Sequence, residues 1–357
     1  MPLARMVCEE PIVLYRTTAS RPTEGHTTTG NAVALADRCP HRFAPLSLGR
    51  VIGDQIQCGY HGLCFDQDGS CVRVPGQDSV PRARVQKYPL VERHGFAWIW
   101  LGETERADAA LVPDFHWMDD PAWTVAEGYH HFKANYQLVN DNLLDLSHES
   151  FVHEETIGNE AVAEALAHVS RDGDVIRVHR EMFNIEAPPF YKRTTGFTGN
   201  IDRWHTNSFT PPGFHVIENG SMPVGSPDRE AARERKVLNL ITPETRTTSH
   251  YFWGVVRQFR LDDDELTEYI REGIKLTFDQ DRAVLEAQQR QIGPDPDNAA
   301  FPVSIRVDAG PTQGRKLLQT MIARDAAQST QRITDLTQTL KTSTCQTSTC
   351  QTSIGSN

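Results

Sequence analysis

DRCPHRFAPLSLGRVIGDQIQCGYHGLCFDQDGSC, residues 37–71, carries four candidate metal ligands in two short loops. Cys39-Pro40-His41 is one pair of donors and Cys58-Gly59-Tyr60-His61 the other, with sixteen residues between His41 and Cys58. The flanking residues alternate as strands do. NAVALAD (31–37) leads into the first pair, RVIGDQIQC (50–58) into the second, and FDQDGSCVRV (65–74) carries an Asp-Gly hairpin signal. The stretch predicts a small β domain that presents two loops at one end.

Soft thiolates paired with imidazoles admit two metal chemistries. One is a structural zinc site with two cysteines and two histidines. The other is a Rieske [2Fe–2S] cluster, in which two cysteines hold one iron and two histidines its neighbour. The order Cys-x-His then Cys-x-x-His suits the cluster, because adjacent loops can direct both thiolates to one iron and both imidazoles to the other. Cys64 and Cys71 flank the hairpin at non-ligand positions and read as buried strand cysteines.

The rest of the chain narrows the class. At 357 residues it exceeds the size at which one core usually keeps growing, so two domains are expected. Lys plus Arg number 36 against 47 Asp plus Glu, a net charge of −11 with no basic block, which argues against nucleic acid or an anionic membrane as partner. The start, MPLARMVCEEPIVLYRTTAS, has no charged segment followed by an apolar run, and no stretch reaches the length of a membrane span. A cytoplasmic protein is the expectation. Seven cysteines, an odd number in a long chain, do not form a disulfide framework; clustered cysteines in a reducing compartment point to a metal or redox site.

A second constellation lies in DNLLDLSHESFVHEE, residues 141–155. Apolar Leu138, Leu143, Leu144 and Leu146 with polar residues between them predict a helix, on which Asn142, Asp145 and His148 form one ridge. His153 follows His148 by five positions, so for both rings to reach one metal the helix must end, loosen or bulge near Glu149–Phe151. Taken alone, this segment reads equally well as a helix with a polar face. A Rieske cluster, however, needs an electron acceptor, and non-haem iron sites use two histidines and one carboxylate. DDDELTEYIREGIKLTFDQDRAVLEAQQRQI (262–292) is a long helical pattern with acidic capping candidates, and it offers Asp279 and Asp281.

CPHRFAPLSLG and CGYHGLCFDQDGSCVRVPGQ resemble the Rieske domain of non-haem iron aromatic ring-hydroxylating oxygenases, and FDQDRAVLEAQQ resembles the C-terminal helix of the vanillate O-demethylase oxygenase family within them. The resemblance runs over most of residues 11–325 and includes ERHGFAWIWLG, NIDRWHTNSFTPPG and LITPETRTTSHYFWGVVRQF. It implies an α+β chain: an all-β Rieske domain over 1–105, then a catalytic domain over 106–325 with a twisted antiparallel sheet flanked by helices (helix-grip, START-like). It assigns Cys39 and Cys58 to one cluster iron and His41 and His61 to the other. It makes His148, His153 and Asp281 the ligands of a mononuclear iron, with Asp279 the fallback. Asp145 would bridge His148 and a Rieske histidine of a neighbouring subunit, and Asn142 would lie close to the iron.

The activity implied is that of a monooxygenase component. It would O-demethylate a methoxylated aromatic acid such as vanillate, using O2 and electrons from NAD(P)H delivered by a separate flavin and [2Fe–2S] reductase. Consistent with that, the chain has no glycine-rich dinucleotide fingerprint. Hydroxylation of a ring methyl or of the ring is the enzymatic alternative, and a Rieske electron carrier the non-enzymatic one. A head-to-tail homotrimer is implied. Trp204, His205, Phe209, Tyr251, Phe252 and Trp253 are candidates for an aromatic pocket, each also suited to the core. Three departures accompany the resemblance: a first strand missing before MPLARMVCEEPIVLYR, a lengthened hairpin TTASRPTEGHTTTG (17–30), and a polar tail from about Asp325 with TSTCQ repeated over 342–351. Residues 326–357, with Cys345 and Cys350, are expected to be disordered.

Overall fold

The computed structural model describes residues 1–18, 30–154, 156–227, 229–296, 301 and 303–347. The first part is built from β1 (Leu3–Val7), β2 (Glu10–Arg16), β3 (Ala32–Ala36), β4 (Arg50–Ile52), β5 (Gln55–Gln57), β6 (Cys64–Phe65), β7 (Cys71–Arg73), β8 (Lys87–Tyr88), β9 (Leu90–Arg93) and β10 (Phe96–Ile99). They form sheets ordered β1-β2-β3-β8 and β4-β5-β6-β7, with β9–β10 as a separate hairpin. Alternate residues of these strands, Val13, Tyr15, Val33, Leu35, Ile56 and Phe65, meet Leu46 in one core. RVIGDQIQC is two strands rather than one, because Gly53 and Asp54 turn the chain between β4 and β5, with Gly53 at φ +58.

β1 lies within MPLARMV. β1 pairs with β2 across a two-residue turn, Cys8-Glu9, whose N–H groups donate to the carbonyls of Pro243 and Glu244 at 2.8 Å. The N-terminal hairpin thus closes one sheet and ties it to the next domain. Of the lengthened loop, residues 19–29 lie outside the described residues.

The second part comprises β11 (Thr124–Phe132), α1 (Tyr136–Leu144), α2 (Glu149–Val152), α3 (Glu160–Glu164), β12 (His168–Asp172), β13 (Val175–Ile185), α4 (Pro189–Thr195), β14 (Ile201–Thr210), β15 (Phe214–Pro223), β16 (Arg233–Thr245), β17 (Thr248–Arg257), α5 (Asp264–Ile292) and α6 (Ala309–Thr347). Seven strands form one antiparallel sheet ordered β11-β17-β16-β15-β14-β13-β12. β12 to β17 follow one another as neighbours, and β11 returns to the far edge beside β17. Strand residues alternate between two faces. Ile217, Val237, Tyr251, Trp253 and Val255 face α5 through Leu266, Ile270, Ile274 and Phe278. Leu238, Leu240, Phe252 and Val256 face the opposite way, onto Phe115, Trp117 and Met118 and onto Phe96 and Trp98 of β10.

α5 matches the helical pattern expected over 262–292, and it starts where the Asp263 carboxylate accepts the N–H of Leu266 at 2.8 Å. The tail departs from expectation. α6 runs through Thr347, so residues 326–347 are helical; its first turns are anchored by Leu317 against Leu144 and Phe209 and by Arg315 paired with Asp141. Among the described residues, no helix is long and apolar enough to cross a membrane.

Candidate metal centres

The two loops singled out in the sequence have matching backbones. Cys39 N–H donates to the Ala44 carbonyl at 2.9 Å and Phe43 N–H to the Cys39 carbonyl at 2.8 Å; Cys58 N–H donates to Leu63 at 2.8 Å and Gly62 N–H to Cys58 at 3.1 Å. The residue four beyond each cysteine is left-handed, Phe43 at φ +58 and Gly62 at φ +74. Glycine takes that backbone without strain. Phe43 lies under the Arg38 guanidinium, 3.8 Å from its ring centroid.

This geometry buries both thiols and leaves both imidazoles at the surface, with the His41 and His61 rings 4.6 Å apart. Burial raises the pKa of the Cys39 thiol. The N–H groups of His41 and Arg42 point at its sulfur and oppose that effect, and the Cys58 thiol is its hydrogen-bonding neighbour. Two buried adjacent sulfurs beneath two adjacent exposed rings suit the two-metal donor set of a [2Fe–2S] cluster better than a single tetrahedral ion. Cys64 and Cys71 are buried free thiols on β6 and β7, as expected from their positions.

The second centre differs from expectation in where the chain breaks. α1 ends at Leu144, and Asp145–Ser147 form the break, because the Asp145 carboxylate accepts both the Ser147 N–H at 2.7 Å and its hydroxyl at 2.6 Å. Residues 149–152, where the break was expected, are instead the short α2. It has His148 at one end and His153 at the other, which sets the rings edge to face with centroids 5.2 Å apart.

α5 supplies Asp281 between them. His148 Nε2 lies 3.4 Å and His153 Nε2 3.2 Å from Asp281 Oδ1, and the three donor atoms lie within 4.8 Å of one another. Both tautomers are set from behind. His148 Nδ1 donates to the Asp145 backbone carbonyl at 2.5 Å, and His153 Nδ1 donates to Gln280 Oε1 at 2.9 Å. Each Nε2 therefore faces the carboxylate, and once its proton is given up it offers a metal its lone pair. Burial opposes the charge on Asp281, but hydrogen bonds from His148 and His153 hold its pKa below the usual carboxylate range. Asn142 Nδ2 donates to Asp281 Oδ1 at 3.0 Å.

The link from Asp145 to His148 is made by the backbone carbonyl, while the carboxylate caps Ser147. Asp279, the fallback, lies two residues before Asp281 and so on the other side of α5, 3.4 Å from His130 and 2.8 Å from Arg282. Among the pocket candidates, His205, Tyr251 and Trp253 are buried on the face toward α5, and Phe209 is buried against Leu144 and Leu317. Trp204 and Phe252 point to the opposite face, as the alternation of β14 and β17 dictates.

Two features were not anticipated. Gln280 gave no signal other than its place beside Asp281. Glu149, fully buried next to His148, pairs with Arg180 Nη2 at 3.0 Å and Arg203 Nη2 at 2.9 Å, with His205 Nδ1 at 3.2 Å. Burial opposes ionisation of Glu149, yet the two guanidiniums hold its pKa well below the usual range.

A two-loop thiol and imidazole site joined to a buried two-histidine, one-carboxylate site on an antiparallel sheet defines the oxygenase component of a Rieske non-haem iron system. The chain belongs to the vanillate O-demethylase oxygenase family: residues 132–324 match the vanillate O-demethylase oxygenase C-terminal domain, and residues 1–89 match the Rieske [2Fe–2S] domain. It is 38% identical to a vanillate O-demethylase oxygenase subunit of a Pseudomonas species over 92% of this chain and 99% of that protein. It is 37% identical to a toluene-4-sulfonate monooxygenase system iron-sulfur subunit of Comamonas testosteroni over 89% of this chain and 91% of that one. The solved structure of dicamba monooxygenase bound to 3,6-dichlorosalicylic acid superposes with a TM-score of 0.83 at 30% identity, covering 91% of this chain and 94% of the other. The chain is therefore a Rieske-type oxygenase of this family.

Proposed function

We propose that this oxygenase O-demethylates a methoxylated aromatic acid of the vanillate type. Its Cys39, Cys58, His41 and His61 would hold the [2Fe–2S] cluster, and His148, His153 and Asp281 a mononuclear iron(II). The observation that carries the reading is the convergence of two imidazole Nε2 atoms and one ionised carboxylate, from the ends of α2 and from α5, in the same chain as the paired cysteine and histidine loops. When bound, the cluster supplies single electrons and the ferrous ion supplies oxygen activation. The protein sets the geometry. The Asp145 carbonyl and Gln280 fix both imidazoles, and Asn142 engages one carboxylate oxygen of Asp281. The net reaction consumes one dioxygen, two electrons and two protons, and converts an aryl methyl ether to a phenol, formaldehyde and water.

Electrons would arrive from NAD(P)H through a separate flavin and [2Fe–2S] reductase. A homotrimer is part of the proposal. Phe43, Leu48 and Tyr60, which are 62%, 77% and 64% exposed, form an apolar rim about the two exposed imidazoles; Phe151, 79% exposed, stands beside the second centre. Exposed apolar groups at both centres suit a head-to-tail contact that brings one copy's loops onto the next copy's α2. Asp145, half-buried at the break between α1 and α2, would then lie at that contact.

The test is metal and acid-labile sulfide content of anaerobically purified protein, with EPR of the reduced form, followed by turnover with a reductase and 4-methoxybenzoates. About three irons and two sulfides per chain, with a Rieske signal, are expected. Formaldehyde should be released in step with oxygen consumed. Zinc without sulfide would refute the oxygenase assignment, and a hydroxylated product without formaldehyde would replace demethylation by hydroxylation.

A further inference from the structure

Across the face of the sheet that meets α5, the strand register aligns Arg180, His205, Asn219, Arg235 and Arg257 in one transverse row over β13 to β17. All five are buried. Three arginines in such a row need acceptors, because an unanswered buried charge is costly. Arg180 has Glu149 and the carbonyls of Leu146 and Val162. Arg257 has the carbonyls of Phe259, Arg260 and Asp263 and the Thr267 hydroxyl.

Arg235 is different. It is 4% exposed, has no carboxylate partner among the described residues, and bonds neutral groups, Thr194 Oγ1 at 3.3 Å from Nη1 and the Tyr191 side chain. Its guanidinium otherwise lies over the rings of Phe190 at 5.0 Å and Tyr191 at 4.8 Å, and Arg203, a second cation, lies on the same Tyr191 ring at 4.4 Å. Further donors surround it. Asn219, directly paired with Arg235, only accepts a long 3.5 Å bond from the Tyr191 hydroxyl, and Ser221, two residues on, keeps a buried hydroxyl with no partner. Glu149 answers Arg203, so the charge left without an anion here is that of Arg235.

The neighbouring rows complete a gradient. Next along the strands comes an apolar row, Ile217, Val237 and Val255, and beyond it Asn239, whose side chain accepts the Tyr251 hydroxyl at 2.8 Å. Tyr251 in turn feels the charge of Asp281. Asn239 lies four residues from Arg235, about 13 Å along an extended strand. On α5, Gly273 touches the Phe190 ring, and Asp281 lies eight residues on, about 12 Å. That length matches an anionic group, one benzene ring and a ring substituent, with contact distances at each end.

We propose that Arg235, with Tyr191, Asn219 and Ser221, receives the anionic substituent of the aromatic substrate, a carboxylate or a sulfonate, and so aims the far side of the ring, its meta and para groups, at His148, His153 and Asp281. This rests on the function proposed above and adds the substrate's charge and orientation. A guanidinium bonds either oxyanion through paired N–H groups. The substrate's charge then balances a cation that the protein leaves unbalanced, and the Ile217–Val237 row takes the ring.

The test is calorimetric binding to the metal-loaded enzyme, with wild type, Arg235→Leu and Arg235→Lys each titrated with 4-methoxybenzoate, 4-methylbenzenesulfonate and neutral 4-methoxybenzyl alcohol. Wild type should bind at least one anion more tightly than the alcohol, and comparison of the two anions identifies which oxyanion the site prefers. Arg235→Leu should weaken the anions roughly 10- to 100-fold, as loss of a charge-assisted pair does, and leave the alcohol unchanged. Arg235→Lys should fall between. The leucine variant should melt no lower than wild type and keep its iron and cluster spectrum. Equal weakening of anion and alcohol, unchanged anion binding in Arg235→Leu, or failure of wild type to bind either anion would overturn the proposal. Because binding is read without turnover, these outcomes are separate from the metal and sulfide analysis that tests the oxygenase assignment.

Discussion

Replacing Glu149 by glutamine should unfold the catalytic domain early and strip it of its mononuclear iron. Glu149 is the carboxylate between Arg180 and Arg203, all three fully buried, and it opens the short α2 whose two ends carry His148 and His153. The substitution preserves shape and removes one charge, leaving two guanidiniums facing each other. Breaking a buried ion pair from one side costs about 3–5 kcal/mol. For a domain of 150–250 residues, at about 2–4 °C per kcal/mol, that is a drop of about 6–20 °C in the melting temperature. Two probes separate the domains: tryptophan fluorescence, which includes the buried Trp253, for the catalytic sheet, and the visible absorbance of the cluster for the N-terminal loops. The fluorescence transition should shift down and iron should fall toward the two of the cluster, while the cluster's own spectrum persists. A glutamine variant that melts with wild type and retains full iron would refute the reasoning, since the pair would then contribute nothing to holding α2.

Asp281→Asn should abolish mononuclear iron binding whereas Asp279→Asn should leave it intact, measured as iron per chain at constant sulfide; the reverse result would move the ligand to the other carboxylate. Cys58→Ser should lose sulfide and visible absorbance, while Cys64→Ser and Cys71→Ser keep both. Stability should also fall on acidification because of His215. Burial with only Asn140, Asn207 and the Phe209 ring around it lowers its pKa from 6.5 to about 3. Below about pH 6.5 the unfolded chain binds one proton more than the folded one, so this residue alone removes about 1.4 kcal/mol per pH unit until its folded pKa is reached. Urea midpoints at pH 7.5 and 5.5 should show the loss, and His215→Gln should reduce it.

The parts whose signals are local could be read from the residues alone. Cys39-x-His41 and Cys58-x-x-His61 lie in short loops between strands, so spacing alone limits where their side chains can go, and the hairpin at Asp66–Ser70 is a local turn. The α5 pattern likewise needed only periodicity and an acidic cap. The tertiary structure decided what depended on competing partners. The break after Leu144 follows from the Asp145 carboxylate turning back on Ser147, a bond that helical periodicity cannot express. The choice of Asp281 over Asp279 depends on which face of α5 meets α2, set by Leu285, Phe278 and Ile274 packing on the sheet. The inner face of β14 carries Arg203, His205 and Asn207 between Ile201 and Phe209, with Trp204 turned away. Hydrophobic alternation does not place those three inside, because the charge buried there is balanced by Glu149, a residue from a helix more than fifty positions earlier in the chain. Burial of a charge is decided by its partner, and a partner at that distance is visible only in the folded chain.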